Sequence, residues 1–181
     1  MKNSILNMTL TLVIIAVIVS VAMSYVNSIT APLIAQNAEK KLNMSLADVI
    51  DAEKFPVLEE NEEYVIYEAF KDGEKVGICV QNKSAGYGGD ITLLTGVDLE
   101  YKVTGIAILS HAETAGLGAN ADKEDFKNQY KGKEENIGVV KNTPKDNEIV
   151  AISGATITSK AVTNGVNRAI ELAKEVVYLN E

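Results

Sequence analysis

The sequence predicts an α+β fold: a mostly antiparallel sheet flanked by helices, carried on a single N-terminal transmembrane helix. Three observations predict it. No charged residue occurs between Lys2 and Glu39, several β-rich runs follow one another at hairpin distances, and the chain closes on a helix-period pattern. At 181 residues the chain has room for one membrane segment and one compact domain with its own core, whereas two soluble domains would be a squeeze.

Residues 5–26 are dominated by Ile, Val, Leu, Met and Ala. As a helix they reach about 33 Å, enough to cross a bilayer. A cleaved signal peptide would carry an apolar core of only about 7–15 residues and a more basic flank, so a retained anchor is expected. Lys2 is the only charge ahead of the span, and by the positive-inside rule it places residues 1–4 in the cytoplasm and the domain outside. The chain holds 17 basic and 25 acidic residues, a net charge of −8. That balance excludes nucleic acid as a partner, because its phosphates need a basic surface, and anionic headgroups would repel the domain.

Residues 27–60 read as a juxtamembrane helix, broken near Pro32, followed by an acidic loop holding Pro56. Leu33, Ile34, Ala38, Leu42 and Leu46 recur there at loosely helical spacing. The domain proper is expected over residues 61–181. Its first two strands, 64–70 and 75–81, flank Lys71-Asp72-Gly73-Glu74, and an Asp-Gly pair between β-rich runs is a strong hairpin signal. A glycine-rich loop, 84–90, precedes strands at 91–98 and 102–109. A short helix at 122–130 and strands at 136–140 and 148–152 follow. The closing helix, 159–177, turns Val162, Val166, Ala169, Ile170, Ala173 and Val177 inward. Turn signals at hairpin distances favour antiparallel pairing, since parallel strands need crossover connections. Cys79 is the only cysteine, so the chain forms no internal disulfide, cysteine-built metal site or iron–sulfur cluster. A place in the core is expected for it.

The stretch Ser153-Gly154-Ala155-Thr156-Ile157-Thr158-Ser159-Lys160 lies between the last strand and the last helix. Gly154 permits a backbone conformation closed to other residues, Ala155 adds little bulk, and four hydroxyls crowd a point where helix N–H groups lack partners. Such a place suits a phosphate. An ordinary helix cap made by Ser or Thr is the competing reading. Two loops join it as candidates. Residues 84–90 carry Gly86, Gly88 and Gly89 around Tyr87, a pattern that is neither a dinucleotide fingerprint nor a P-loop; the open readings are a hairpin loop and close backbone approach to a flat ligand, with the Tyr87 ring available to stack. Residues 111–118 put His111, Glu113 and Thr114 beside Gly116 and Gly118 at a strand end, as site loops often do. There is no nucleophile–base constellation and no metal-ligating cluster, so hydrolase chemistry is not expected.

The Ser-Gly-Ala-Thr-x-Thr-Ser run, the His111-to-Gly118 loop and the N-terminal span together resemble the FMN-binding domain family, and within it the G subunits of Rnf electron transport complexes. The resemblance covers most of the chain. It implies that a flavin transferase joins FMN through its phosphate to the hydroxyl of Thr156, with Ser153, Gly154, Ala155, Thr158 and Ser159 around the attachment point and Lys160 on the phosphate side. It assigns Glu113, Thr114, Leu117 and Gly118 to the isoalloxazine ring and brings Tyr87 and Gly88 near the flavin. The chain departs from the family's pattern at Val150, where Asp is frequent, and at Ala115, where Pro is frequent. The implied role is an electron relay in a membrane-bound, ion-translocating ferredoxin:NAD oxidoreductase, with no catalytic residue or metal in this chain and no stand-alone catalysis. The implied partners are other membrane, iron–sulfur and flavin subunits, and the implied location is the cell (inner) membrane. The C-type flavoprotein of a sodium-pumping NADH:quinone reductase and a flavin-free extracytoplasmic binding or assembly module are the alternatives.

Overall fold

The computed structural model describes residues 2–179, and the side chains of residues 2–5 and 177–179 lie outside that description. The inward place expected for Val177 falls there. Two units divide the chain, 1–41 and 42–181.

Helix α1 runs Lys2–Val49 with Pro32 inside it. The break expected near Pro32 is therefore absent. A proline removes one backbone hydrogen bond, but helix formers flank it on both sides. The Ser28 hydroxyl donates to Tyr25 O at 2.8 Å and the Thr30 hydroxyl to Val26 O at 3.0 Å, so these polar groups are satisfied within the helix. Among the described residues this is the one helix long and apolar enough to cross a membrane; an 18-residue stretch of it reaches a mean hydropathy of 2.4 with none of its surface buried.

The larger unit is built on a five-stranded antiparallel meander in the order β1-β2-β3-β4-β5. The strands are β1 Val57–Glu60, β2 Tyr64–Lys71, β3 Glu74–Ala85, β4 Asp90–Asp98 and β5 Val103–Ser110. The β2–β3 hairpin turns at Asp72 and Gly73, whose φ values of 53° and 86° are the positive pair that a primed turn requires. Strand β1 replaces part of the acidic loop expected before residue 64. It is short, sits at the sheet edge, and has a mostly exposed pattern that period-2 reading does not detect.

Both faces of the sheet are covered, which explains its near-continuous apolar strands. On one face Ile66, Ile78, Val80, Leu93 and Ile108 pack with Val162, Val166, Ala169, Ile170 and Ala173 of helix α3, Thr156–Leu179. On the other, Tyr67, Ala69, Cys79, Leu94 and Ala107 pack against Leu42, Leu46 and Val49 at the end of α1 and against Ile50. Gly96 and Gly105, opposite each other in β4 and β5, let that helix end approach: a Cβ on Gly96 would lie 2.6 Å from the Val49 carbonyl oxygen. Cys79 is fully buried, and burial pushes its thiol up to about 12, so it serves as core.

After β5 the chain makes a 3-10 turn at Gly118–Asp122, the one-turn α2 at Glu124–Lys127 and a second 3-10 turn at Asn128–Tyr130, in place of the single helix expected over 122–130. Strands β6, Gly138–Val140, and β7, Glu148–Val150, form a separate parallel pair. The Ala151 N–H donates to Val140 O at 2.8 Å just beyond it. Helix α3 starts three residues earlier than its apolar period indicates. Thr156, Ile157 and Thr158 are β-branched and read as poor helix formers, yet the turn closed by the Ala155 N–H on Ile152 O at 2.9 Å directs them into the first helical turn.

Candidate functional site

A cleft of about 630 Å³ opens where four segments of the larger unit meet. Its size is within the usual range of about 300–1,000 Å³ for small-molecule sites. One wall is the turn and helix start from Ala151 to Thr158; the other holds Glu113, Thr114, Leu117 and Gly118, with Tyr87 and Lys141 completing the lining.

The turn is set by Gly154, whose φ of 76° is a conformation that side-chain-bearing residues seldom adopt. Ser159 anchors it from inside: its hydroxyl donates to Ala155 O and accepts from the Ile152 N–H, both at 2.9 Å, and it is fully buried. The first i→i−4 bond here joins the Ser159 N–H to Ala155 O at 3.0 Å. The N–H groups of Thr156, Ile157 and Thr158 therefore have no acceptor in their own helix, and they give this end a partial positive charge.

The hydroxyls of the turn divide into two kinds. Those of Thr158 and Ser159 are committed inside the protein. Those of Ser153 and Thr156, among the described residues, make no hydrogen bond within the protein, although both residues line the cleft. Thr156 is thus not acting as a helix cap, since its oxygen accepts from no backbone N–H.

Glu113 sits between the walls. Its Oε1 accepts from the Tyr87 N–H at 2.7 Å and the Gly88 N–H at 3.1 Å, its Oε2 accepts from the Thr158 hydroxyl at 2.7 Å, and its own N–H donates to His111 Nδ1 at 3.2 Å. Burial alone would push its carboxyl up. The Thr158 hydroxyl, the two backbone N–H groups and His111 outweigh that and hold it below the usual carboxylate range. The rim is apolar: Tyr87 is 71% exposed, Ile157 56% and Leu117 45%. A flat aromatic ligand suits such a rim, with anion-binding groups at one end.

Ten of the residues singled out from sequence line the cleft: Tyr87, Glu113, Thr114, Leu117, Gly118, Ser153, Gly154, Ala155, Thr156 and Thr158. Three lie elsewhere. Gly88 stands behind the wall with its N–H on Glu113, Ser159 is buried beneath the turn, and Lys160 is exposed on α3 away from the lining. The cation that does line the cleft is Lys141, which the sequence reading missed. It follows β6, and only the parallel pairing of β6 with β7 brings it beside Ala151 and Ile152. The period of the short strands carries no sign of that pairing. No cluster of three or more His, Cys, Asp or Glu residues able to hold a metal occurs among the described residues.

Comparison with known proteins gives consistent results. The FMN-binding domain family matches residues 86–171, and the RnfG N-terminal region family matches residues 1–49. The chain is 40% identical over 172 residues to the G subunit of the proton-translocating ferredoxin:NAD(+) oxidoreductase complex of Clostridium ljungdahlii, covering 94% of this chain and 92% of that one. It is 35% identical over 184 residues to the G subunit of the Na(+)-translocating complex of Acetobacterium woodii, covering 90% and 88%. Among solved structures, the C-type flavoprotein of the Na(+)-translocating NADH-quinone reductase of Parabacteroides distasonis superposes with a TM-score of 0.51 at 29% identity, over 59% of each chain. Shewanella oneidensis NqrC shares the fold with a TM-score of 0.52 at 21% identity, over 68% of this chain and 65% of that one.

Proposed function

The chain belongs to the family of G subunits of ion-translocating ferredoxin:NAD(+) oxidoreductase complexes, and from that membership we propose that it carries one FMN joined through its phosphate to Thr156. Electron transport by an FMN-binding protein follows from the family. The proposal adds the covalent bond, the relay between neighbouring subunits and the side of the membrane.

The observation that carries it is the Thr156 hydroxyl, which lines the cleft and has no hydrogen bond within the protein, at a helix start whose first N–H groups are unpaired. A phosphodiester there would meet the backbone donors of Thr156, Ile157 and Thr158, the Ser153 hydroxyl and the Lys141 ammonium. The apolar rim of Tyr87, Leu117 and Ile157 suits the ring system. When bound, the flavin supplies the redox chemistry; the residues of this chain hold it, exclude water and set its electrostatic surroundings. No residue of the cleft is arranged to attack a substrate. The match over 92% of the Clostridium ljungdahlii G subunit favours this reading over the C-type flavoprotein of a sodium-pumping NADH:quinone reductase.

In this reading residues 1–4 are cytoplasmic, 5–26 span the membrane, 27–60 link the span to the domain, and 61–181 lie outside. Covalent attachment then has a physical reason, since a dissociable cofactor would be lost by mass action where free FMN is scarce. Maturation needs a flavin transferase. The test is intact mass after denaturation of protein made with a competent transferase: the wild type carries the FMN adduct and Thr156→Ala carries none. An adduct that survives Thr156→Ala would refute the assignment. In a flavin-free assembly module the wild type would carry no adduct.

A further inference from the structure

The resemblance to the family would set Glu113 against the isoalloxazine ring, but both of its oxygens are turned to the protein. Three donors already occupy a carboxylate that has about four acceptor positions: two backbone N–H groups from the β3–β4 loop and one hydroxyl from α3. Glu113 is 9% exposed. The backbone around it is shaped to admit it, because a Cβ at Gly86 or Gly118 would collide with a Glu113 carboxylate oxygen, and one at Gly88 with the Ala112 carbonyl. Three segments distant in sequence therefore meet at one side chain. One of them is the first turn of α3, through Thr158, two residues past Thr156.

We propose that Glu113 is a positioning residue: its carboxylate ties the Tyr87–Gly88 backbone to the Thr158 hydroxyl and thereby sets how the start of α3 presents Thr156 to the cleft. The inference rests on the reading of Thr156 as the attachment residue. Charge-assisted hydrogen bonds are roughly twice as strong as neutral ones, and the low exposure keeps water from replacing them. Losing either end frees the other: without the Thr158 hydroxyl, Glu113 Oε2 is buried and unpaired, and without Glu113 the backbone donors of the loop lose their acceptor. The unit is therefore coupled.

The test uses the full chain in membranes, made with a flavin transferase, in the variants Glu113→Ala, Thr158→Val, Thr158→Ser and the double Glu113→Ala/Thr158→Val. Two readouts are taken, the rate at which the FMN adduct appears and the amide hydrogen exchange of Tyr87 and Gly88. Thr158→Val should slow attachment about tenfold and Glu113→Ala by as much, with no further loss in the double variant, as coupled residues behave. Thr158→Ser, which keeps the hydroxyl, should stay within about twofold of the wild type. Exchange at Tyr87 and Gly88 should quicken in Thr158→Val, although that change lies on another element. Wild-type attachment in Thr158→Val together with unchanged exchange at Tyr87 and Gly88 would overturn the proposal. The exchange arm does not depend on flavin. If the wild type carries no adduct, the reading of Thr156 fails, and the exchange result alone decides for or against the role of Glu113.

Discussion

Gln129 holds Val150 by both of its backbone groups: the Val150 N–H donates to Gln129 Oε1 at 2.7 Å, and Gln129 Nε2 donates to the Val150 carbonyl at 3.3 Å. The side-chain amide takes the place of a neighbouring strand at the free side of β7, three residues before Ser153. The turn that carries Thr156 thus starts from a fixed strand end.

Gln129→Leu keeps the volume of that side chain and deletes both bonds. Two lost hydrogen bonds at a half-buried site predict a destabilisation of about 1–3 kcal/mol, read as a lower denaturation midpoint with an unchanged slope. Because the tie uses the backbone of Val150, Val150→Asp should alter stability by no more than about 0.5 kcal/mol. Its adduct fraction is expected to exceed that of the wild type, since Asp is frequent at this position in the family. Equal fractions would mean that Val150 suffices for the transferase.

The Glu113 carboxyl sets a pH dependence whose sign follows from its direction of shift. The fold holds it below the usual carboxylate range, whereas in the unfolded chain it takes its ordinary value of about 4.3. Its stabilising contribution is therefore complete above that value and is lost as pH falls through the lower folded value. The gap in denaturation midpoint between wild type and Glu113→Gln should be widest near neutral pH and should close under acid. A gap that widened as pH fell would reverse the sign and exclude the network as its source.

How much could be read in advance differs by element. Asp72-Gly73 was legible because a primed turn needs two residues that tolerate positive φ, a local demand met by local residues. The face of α3 was legible because its apolar period is sustained over several turns. Pro32 misled because one lost hydrogen bond does not outweigh the helix around it. Strand β1 escaped notice because its ladder partner, not its own pattern, makes it a strand. In the cleft, the segment from Ser153 to Thr158 stood out as crowded hydroxyls. Which hydroxyls are free, and that Lys141 rather than Lys160 lines the cleft, depend on contacts made across the fold.

Topology gives another prediction. If Lys2 is cytoplasmic and residues 5–26 cross the bilayer, protease added outside spheroplasts should degrade the domain while a tag on the N-terminus stays protected. Protection of the domain would place Thr156 in the cytoplasm. It would also remove the mass-action reason for a covalent cofactor.

The strictest test separates the cofactor from the scaffold. This chain has one cysteine, no nicotinamide fingerprint and, among the described residues, no metal-ligating cluster, so electrons must arrive from and leave for groups on other subunits. Thr156 is half-buried at a turn whose fixed points are Gly154, Ser159 and the Glu113–Thr158 bond, none of which uses the Thr156 hydroxyl. Thr156→Ala should therefore leave the fold and its docking surfaces intact. The expected outcome is a detergent-purified complex containing this chain and its polytopic partners at wild-type stoichiometry, with ferredoxin-to-NAD electron flow and coupled ion transport abolished. Normal turnover in that variant would make the chain an assembly factor and defeat the relay reading. Replacing the Thr156 hydroxyl by that of serine should restore the adduct and the electron flow together, because the attachment chemistry needs an oxygen at that position and not its methyl group.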